Sequence, residues 1–211
     1  MVEYRDLYDA NKCVTGKTFI KGEQVPKGYF YLIVIIVIKN SLDKYLIQKR
    51  VERKGGKWAL TGGHPKAGES NLEGIREEVK EELGIDIEND NPILFKEITH
   101  NDQFFDLYFL ENDIDINDIH IQKEEVDGVM WATRDEIIKM HEKGEFHEGH
   151  YNAFLDYLNY KENKWKYIIY MNGIVNTEYK KISNLSLLLK NIYEGNYKVK
   201  KKEKNKWMWY F

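Results

Sequence analysis

The clearest structural prediction in the chain comes from residues 62–85, GGHPKAGESNLEGIREEVKEELGI, which predict a loop followed by one helix. Ser70, with Glu73 three positions later, forms the capping-box pattern that begins a helix. Gly84 stands where a C-terminal cap is expected. The helix between them carries a single apolar stripe, formed by Leu72, Ile75, Val79 and Leu83. We therefore expect a glycine-led loop followed by an amphipathic helix that packs one face against a core.

Strands are predicted on both sides of this helix. Residues 29–38 form an uninterrupted apolar run, about half as long as a membrane-spanning helix requires. Its β-branched and aromatic side chains predict a strand buried on both faces, paired in a hairpin with a second strand, Tyr45–Arg50. Further strands are expected at Lys57–Thr61, in two runs within 93–111, and at Val126–Ala132. Helices are expected from Thr133 and over 148–161, the latter with Phe154, Leu155 and Leu158 facing inward.

Beyond residue 161 the composition changes. Asn172-Gly173 is a strong hairpin signal between Tyr167–Met171 and Ile174–Tyr179, and a short helix is expected at Asn184–Tyr193. We therefore predict a main domain, 1–163, and a small C-terminal hairpin and helix extension, 164–211. The lysine-rich, aromatic end favours a ribbon that packs its rings inward over an arm that binds single-stranded nucleic acid. The extension is too short for a core of its own, so it should pack on the main domain or in a homodimer.

Composition narrows the class of protein. The chain has 32 basic and 35 acidic residues, a formal net charge of −3, so no overall field attracts nucleic acid or membrane. Neither is expected as a partner. Its single cysteine, Cys13, excludes an internal disulfide and a cysteine-built zinc site, and fits a reducing compartment. Residues 1–12 lack the apolar segment of a signal peptide. A cytoplasmic globular protein is expected.

The predicted helix also carries a cluster of acids. Glu78, Glu81 and Glu82 occupy one arc of it at spacings of three and four residues, and Glu77 adds a fourth like charge. Such a cluster weakens a helix unless a hard divalent cation binds the carboxylates. The alternative is a solvated acidic face, which the charge pattern alone favours.

The frame in which these acids stand resembles the signature of the Nudix family, G-x5-E-x7-R-E-U-x-E-E-x-G-U, where U is aliphatic. Eight specified positions match: Gly63, Glu69, Glu78, Val79, Glu81, Glu82, Gly84 and Ile85. One does not, because Glu77 stands where the family has arginine. Arg76 lies one step earlier, about 100° away around an ideal helix, and is not an obvious substitute.

The resemblance covers roughly residues 1–161 and implies a Nudix-type α/β/α sandwich around a mixed sheet. The opening segments, Asp6–Asp9 with Thr15-Gly16 and Pro26 with Gly28, resemble the subgroup nearest isopentenyl-diphosphate isomerase. The resemblance also implies an activity, in which Mg²⁺, with Mn²⁺ as the alternative, promotes attack of water on the diphosphate of a nucleoside-diphosphate-X substrate.

Residue roles follow by the same resemblance. Glu78, Glu81 and Glu82 are the implied catalytic and metal-binding residues, Glu69 is a supporting metal ligand, and Glu125 is a further catalytic residue, either the remaining metal ligand or the base. Lys49, Arg50, Gly62 and Gly63 are the implied substrate-binding residues. For Lys49 and Arg50, with Arg53 and Lys54, a solvated basic turn is an equal alternative. Phe104, Phe105 and Tyr108 are expected in the core rather than on a substrate ring.

Two rival functions remain open. An isomerase needs a cysteine directly before Gly-His-Pro, where this chain has Gly62, and a histidine on the first strand, which reads Tyr29-Phe30-Tyr31. The second rival is a nucleotide-binding or regulatory module that has lost hydrolysis. Glu77 favours it, and retention of all three helix carboxylates opposes it.

Overall fold

The computed structural model describes residues 2–171, with side-chain surroundings for residues 2–163. Its strands are β1 (Tyr4–Tyr8), β2 (Val14–Ile20), β3 (Tyr31–Lys39), β4 (Tyr45–Arg50), β5 (Trp58–Ala59), β6 (Thr61–Gly63), β7 (Ile93–His100), β8 (Gln103–Glu111) and β9 (Val126–Ala132). Its helices are α1 (Asn71–Leu83), α2 (Arg134–Glu142) and α3 (Glu148–Met171). The chain divides into two units, and the first, Met1–Leu158, holds every residue of the site described below.

A mixed sheet organises this unit, as predicted. β3 pairs in parallel with β8 along its whole length, from Tyr31 opposite Gln103 to Lys39 opposite Glu111. β7 extends the sheet beyond β8, and on the other side β4 pairs with β5 and β9. β6 pairs antiparallel with β3, which places Gly62 opposite Ile35. β1 and β2 form a separate antiparallel ribbon.

The two faces of the sheet bury different side chains, because successive residues of a strand point to opposite sides. Val34, Ile36 and Ile38 of β3 join a core cluster with three apolar residues of α1, namely Ile75, Val79 and Leu83. On the opposite face, rings of α3 pack against strand residues: Phe154 lies 4.8 Å from Tyr45 and Tyr157 lies 5.5 Å from Phe109, between ring centroids. Helices therefore cover both faces, which is the predicted α/β/α sandwich.

The signals that predicted α1 are confirmed in detail. The Ser70 hydroxyl accepts a hydrogen bond from the Glu73 amide at 3.2 Å, and the Glu73 carboxylate accepts one from the Ser70 amide at 2.8 Å. Gly84 ends the helix in a left-handed conformation with φ of 69°. α2 begins with the same device, because Thr133 and Glu136 also form a capping box.

Some expectations about individual strands need correction. The hairpin of β3 and β4 pairs only at Lys39 and Tyr45, because β6 takes the next positions beside β3. The strand expected over Lys57–Thr61 is two short strands, β5 and β6.

The helix expected over 148–161 also differs. Leu155 is 36% exposed, since Phe154 and Tyr157 take the inward positions and the next residue of a helix turns about 100° away. Tyr167–Met171, expected as a strand, is helical and completes α3. An apolar run of this length does not distinguish strand from helix, and extending a helix that has already formed adds one hydrogen bond per residue. The remaining expectations for the extension, from Asn172 on, lie outside the described residues. Within residues 2–171, no helix has the length and apolar character needed to cross a membrane.

Candidate active site

The site is built where β6 passes into the loop before α1. Gly63 lies directly beneath the Glu78 carboxylate, so that a Cβ atom at this position would overlap the carboxylate atoms. The next amide, of His64, donates a hydrogen bond to Glu78 Oε1 at 3.1 Å. Pairing of β6 with β3 therefore fixes the backbone on which Glu78 rests.

Glu82 lies one helical turn further along α1 and is 5% exposed. Its Oε2 atom accepts a hydrogen bond from Gln48 Nε2 of β4 at 2.6 Å. The side-chain oxygen of Gln48, Oε1, in turn accepts a hydrogen bond from the Thr61 hydroxyl at 3.1 Å. This chain of contacts ties the carboxylate to two strands of the sheet and orients it.

The negative charges of Glu78 and Glu82 are disfavoured by their surroundings. Burial, reinforced by the charges of Glu82 and Glu81, raises the pKa of Glu78 to about 7, although Arg5 and the His64 amide oppose the shift. Burial also raises the pKa of Glu82, against the Gln48 hydrogen bond and the charge of Lys54. In the described part of the chain, neither carboxylate forms an ion pair with a lysine, arginine or histidine.

The other predicted acids hold partners of their own. Glu81 is exposed and pairs with Lys66. Glu125 pairs with Lys54; burial raises its pKa, but the Lys54 hydrogen bond and charge bring the pKa below its usual value. Glu69 accepts the Lys66 amide at 2.7 Å and stabilises the loop. Within residues 2–171, no three side chains of the types His, Cys, Asp and Glu converge closely enough to enclose a metal ion.

The donor set nevertheless fits a hard divalent cation. Glu78 and Glu82 supply carboxylate oxygens, partly or fully removed from solvent, that repel each other. Mg²⁺ is held in proteins by one or two carboxylates together with substrate phosphate, so two fixed acids suffice to begin such a site. Glu81 and Glu125 could join it only by exchanging their lysine partners for the cation.

The four predicted substrate-binding residues differ in where they lie relative to the site. Arg50 carries its charge towards the site. Burial is the main cause of the lowered pKa of His64, to which the Arg50 charge adds, and of the raised pKa of Glu82, which the Arg50 charge opposes. Lys49, the neighbour of Gln48 on β4, points to the opposite face by strand alternation. Gly62 packs against the backbone oxygen of Val34, so that its role is close pairing of β6 with β3. Gly63 lies against the Glu78 carboxylate.

Comparison with known proteins identifies the fold. A family model described as the NUDIX domain matches residues 30–155. The chain belongs to the Nudix family. An uncharacterized Nudix hydrolase of Listeria monocytogenes is 34% identical over 149 residues, which cover 69% of this chain and 88% of that protein. A nucleoside triphosphatase, NudI, of an Enterobacter species is 29% identical over 118 residues, covering 50% of this chain and 83% of its own.

A solved structure, DR0079 from Deinococcus radiodurans, superposes with a TM-score of 0.57 at 21% identity and covers 68% of this chain and 91% of its own. At that identity the likeness concerns the fold alone. Family membership makes the chain a Nudix hydrolase, an enzyme of phosphorus-containing acid anhydrides.

The chain departs from the Nudix signature at Glu77, and the structure shows where the nearby arginines lie instead. Arg76 does not face the carboxylates, because its Nη2 donates to the Asp90 carbonyl oxygen at 3.0 Å. Positive charge reaches Glu78 instead from Arg5 on β1, far from the signature in sequence. Arg5 lies outside residues 30–155, and no pattern around it in the sequence predicts this role.

Other residues near the Nudix site were also missed by sequence reasoning. Gln48 looked like one polar residue in a buried strand, and only the register of β4 reveals that it holds Glu82. Tyr31 stacks on His64 at 5.5 Å between ring centroids, with an interplanar angle of 19°. Burial, with the charge of Arg5 next, lowers the pKa of His64 to about 4, so its ring is neutral at neutral pH. Phe104 and Tyr108 are buried in the core, as expected.

We expect the metal-free enzyme to lose stability, relative to its Glu78→Gln variant, as pH rises from about 4.5 to about 7. The folded state holds a proton on Glu78 that the unfolded chain releases in this window, so folding is favoured below it and disfavoured above it. His64, whose pKa is lowered, makes stability rise with pH instead. Because both proteins contain His64, comparing them removes its contribution. Thermal denaturation of both proteins in a chelator, across this pH range, measures the difference in their stability. Added Mg²⁺ should reduce that difference above pH 7. Parallel pH profiles for the two proteins would contradict the expectation.

Proposed function

We propose that this Nudix hydrolase cleaves a diphosphate linkage in a nucleoside-diphosphate-X substrate, using Mg²⁺ or alternatively Mn²⁺, in the cytoplasm. The observation that carries the proposal is the pair Glu78 and Glu82. These neighbouring carboxylates are partly or fully shielded from solvent, have raised pKa values, and form no ion pair with a basic side chain of the described residues. Such a pair has a high affinity for divalent positive charge. Similarity to a nucleoside triphosphatase supports a nucleotide as one part of the substrate.

The residues of the site divide the work as follows. Glu78 and Glu82 would hold the cation, and Gln48 keeps Glu82 in place. When bound, Mg²⁺ would supply charge for the diphosphate oxygens and acidify an attacking water. Glu81 and Glu125 would accept the proton of that water or complete the cation site, provided that their lysine partners, Lys66 and Lys54, bind substrate phosphate instead. Arg50 contributes charge beside the same phosphates, and Glu69 keeps the loop closed.

The chain lacks the residues that isomerisation of a diphosphate requires. Gly62 occupies the place of the required cysteine, and a methyl group there would already overlap the Val34 backbone. Cys13 is exposed and lies in the turn between β1 and β2, where its amide donates to Asp9. A regulatory module without hydrolysis is the stronger alternative, and Glu77 remains the feature that favours it.

A panel of diphosphate compounds tests the proposal. Nucleotide sugars, ADP-ribose, dinucleoside polyphosphates and nucleoside triphosphates would each be incubated with the full chain and Mg²⁺, and the products separated by chromatography. We expect at least one class to be cleaved at the diphosphate in a reaction that chelation stops. Binding of a nucleotide without cleavage of any class would instead support the regulatory alternative.

We expect Glu77→Arg to leave turnover and metal affinity unchanged. Arg5 already brings positive charge to Glu78, so an arginine restored at position 77 supplies a function that is present. Arg76→Met should be equally silent, because that side chain faces Asp90. Steady-state kinetics with a Mg²⁺ titration measures both variants. A marked gain for Glu77→Arg would mean that the carboxylates are poorly oriented, and a marked loss would mean that Glu77 itself binds the cation.

A further inference from the structure

A cavity of about 360 Å³ adjoins the proposed active site. Its wall includes Arg5 of β1, Lys21 just after β2, Tyr31 of β3 and His64 of the loop before α1. Its volume lies within the range of small-molecule sites. Because His64 lines the cavity and also donates its amide to Glu78, a molecule held at Glu78 can extend into this space.

Arg5 is the unusual residue of the wall. It is 4% exposed, and its Nη2 atom donates to Glu3 at 2.7 Å. Its Nε and Nη1 atoms are buried and have no hydrogen-bond partner among residues 2–163. Buried N–H groups without acceptors are costly, and those of a guanidinium more so than neutral ones. An oxyanion in the cavity would satisfy these donors, since guanidinium groups bind carboxylate and phosphate oxygens strongly.

The rest of the wall fits such a ligand. Lys21 pairs at 2.8 Å with the same Glu3, so that one carboxylate serves two cations. The rings of Tyr31 and His64 stack, and Phe19 meets Tyr31 edge-on at 5.8 Å between centroids. These rings form an aromatic side of the wall.

Acidic residues also face the cavity. Glu23 and Asp102 lie on its wall beside the two cations. The wall therefore carries both signs of charge, and net positive potential does not explain recognition of an anion. Recognition would depend instead on the two buried N–H-bearing atoms of Arg5 that lack an acceptor among the described residues, with Lys21 as the second cation.

We propose that this cavity is an oxyanion subsite of the active site, in which Arg5 and Lys21 bind a phosphate or carboxylate on the part of the substrate that leads away from the cleaved diphosphate. The inference rests on the proposed function for the identity of that substrate. It narrows the substrate class to diphosphates whose X group is itself anionic.

Two matched pairs of probes test it by calorimetric binding to the full chain in a chelator, where no turnover occurs. ATP is compared with ADP for a terminal phosphate, and UDP-glucuronate with UDP-glucose for a carboxylate. We expect one anionic member to bind at least about tenfold more tightly than its partner, roughly 1.4 kcal/mol. Arg5→Met and Lys21→Met should each remove that preference. Arg134→Met, an exposed arginine outside the cavity, should retain it. The pair that shows the preference identifies the anion.

The proposal is overturned if the wild-type chain shows no preference in either pair, or if Arg5→Met and Lys21→Met keep it. Equal loss of affinity for both members of a pair would give Arg5 a structural role only and would also overturn it. If Arg5→Met fails to fold, Lys21→Met supplies the same comparison. If the chain hydrolyses a compound of the diphosphate panel but shows no preference for the anionic probes, this inference is wrong and the proposed function stands.

Discussion

Glu82→Gln is expected to lower Mg²⁺-dependent hydrolysis by at least about 100-fold, the upper range for loss of a supporting residue around a metal. The substitution removes a carboxylate charge and keeps the shape of the side chain. It should not harm folding, because it relieves repulsion from neighbouring acids and the burial of a charge. Gln48 can still donate to the new carbonyl oxygen. Glu88→Gln, an exposed acid beyond α1, is the matched control and should leave the rate unchanged.

Glu81→Gln should also lower the rate, although Glu81 is exposed and paired with Lys66. Its contribution requires that the lysine leave the carboxylate when cation and substrate bind. Initial rates and circular dichroism of the purified variants measure activity and fold together. Full activity in both the Glu81 and the Glu82 variant, with intact folds, would remove these acids from the mechanism.

The adjacent glycines of β6 should fail in different ways when changed to alanine. At Gly63 the added methyl meets the Glu78 carboxylate, the mobile end of a side chain, which can move aside. Stability should therefore change little, while displacement of the carboxylate should cost on the order of 100-fold in rate. At Gly62 the methyl meets the Val34 backbone oxygen and Ile35 Cα, which cannot move without separating β6 from β3. That variant should lose about 1–3 kcal/mol of stability.

Thermal denaturation and kcat/KM, measured on both glycine variants, separate the two outcomes. Gly68→Ala is a control for substitution elsewhere in the loop, since nothing lies within 4 Å of its added methyl; its φ of 86° predicts some strain of its own. A Gly63 variant with normal turnover would show that the position of Glu78 over this glycine is not needed for catalysis.

Local signals made α1 and its loop predictable from sequence. Ser70, Glu73 and Gly84 act on backbone groups within one or two turns, so their effect does not depend on the rest of the fold. The spacing of Glu78 and Glu82 likewise places both acids on one arc of the helix before any tertiary contact is known.

Contacts between distant parts of the chain were not predictable in the same way. Gln48 reaches Glu82, and Lys54 reaches Glu125, only because β4, β9 and α1 come together in the folded sheet. Arg5 stands before the residues that the family model matches, and nothing near it in sequence specifies its partner. Leu155 was misplaced because only one side of the helix faces the sheet, and packing placed Ala153, Phe154 and Tyr157 on that side.

Hydrolysis in water enriched in oxygen-18 tests the central claim most directly. The panel compound that reacts fastest would be converted by the full chain with Mg²⁺, and the products weighed by mass spectrometry. Attack of water on a diphosphate phosphorus predicts one labelled oxygen in one of the two phosphate-containing products, and no reaction after chelation. Products without label, or a rearranged compound whose diphosphate is intact, would contradict the account.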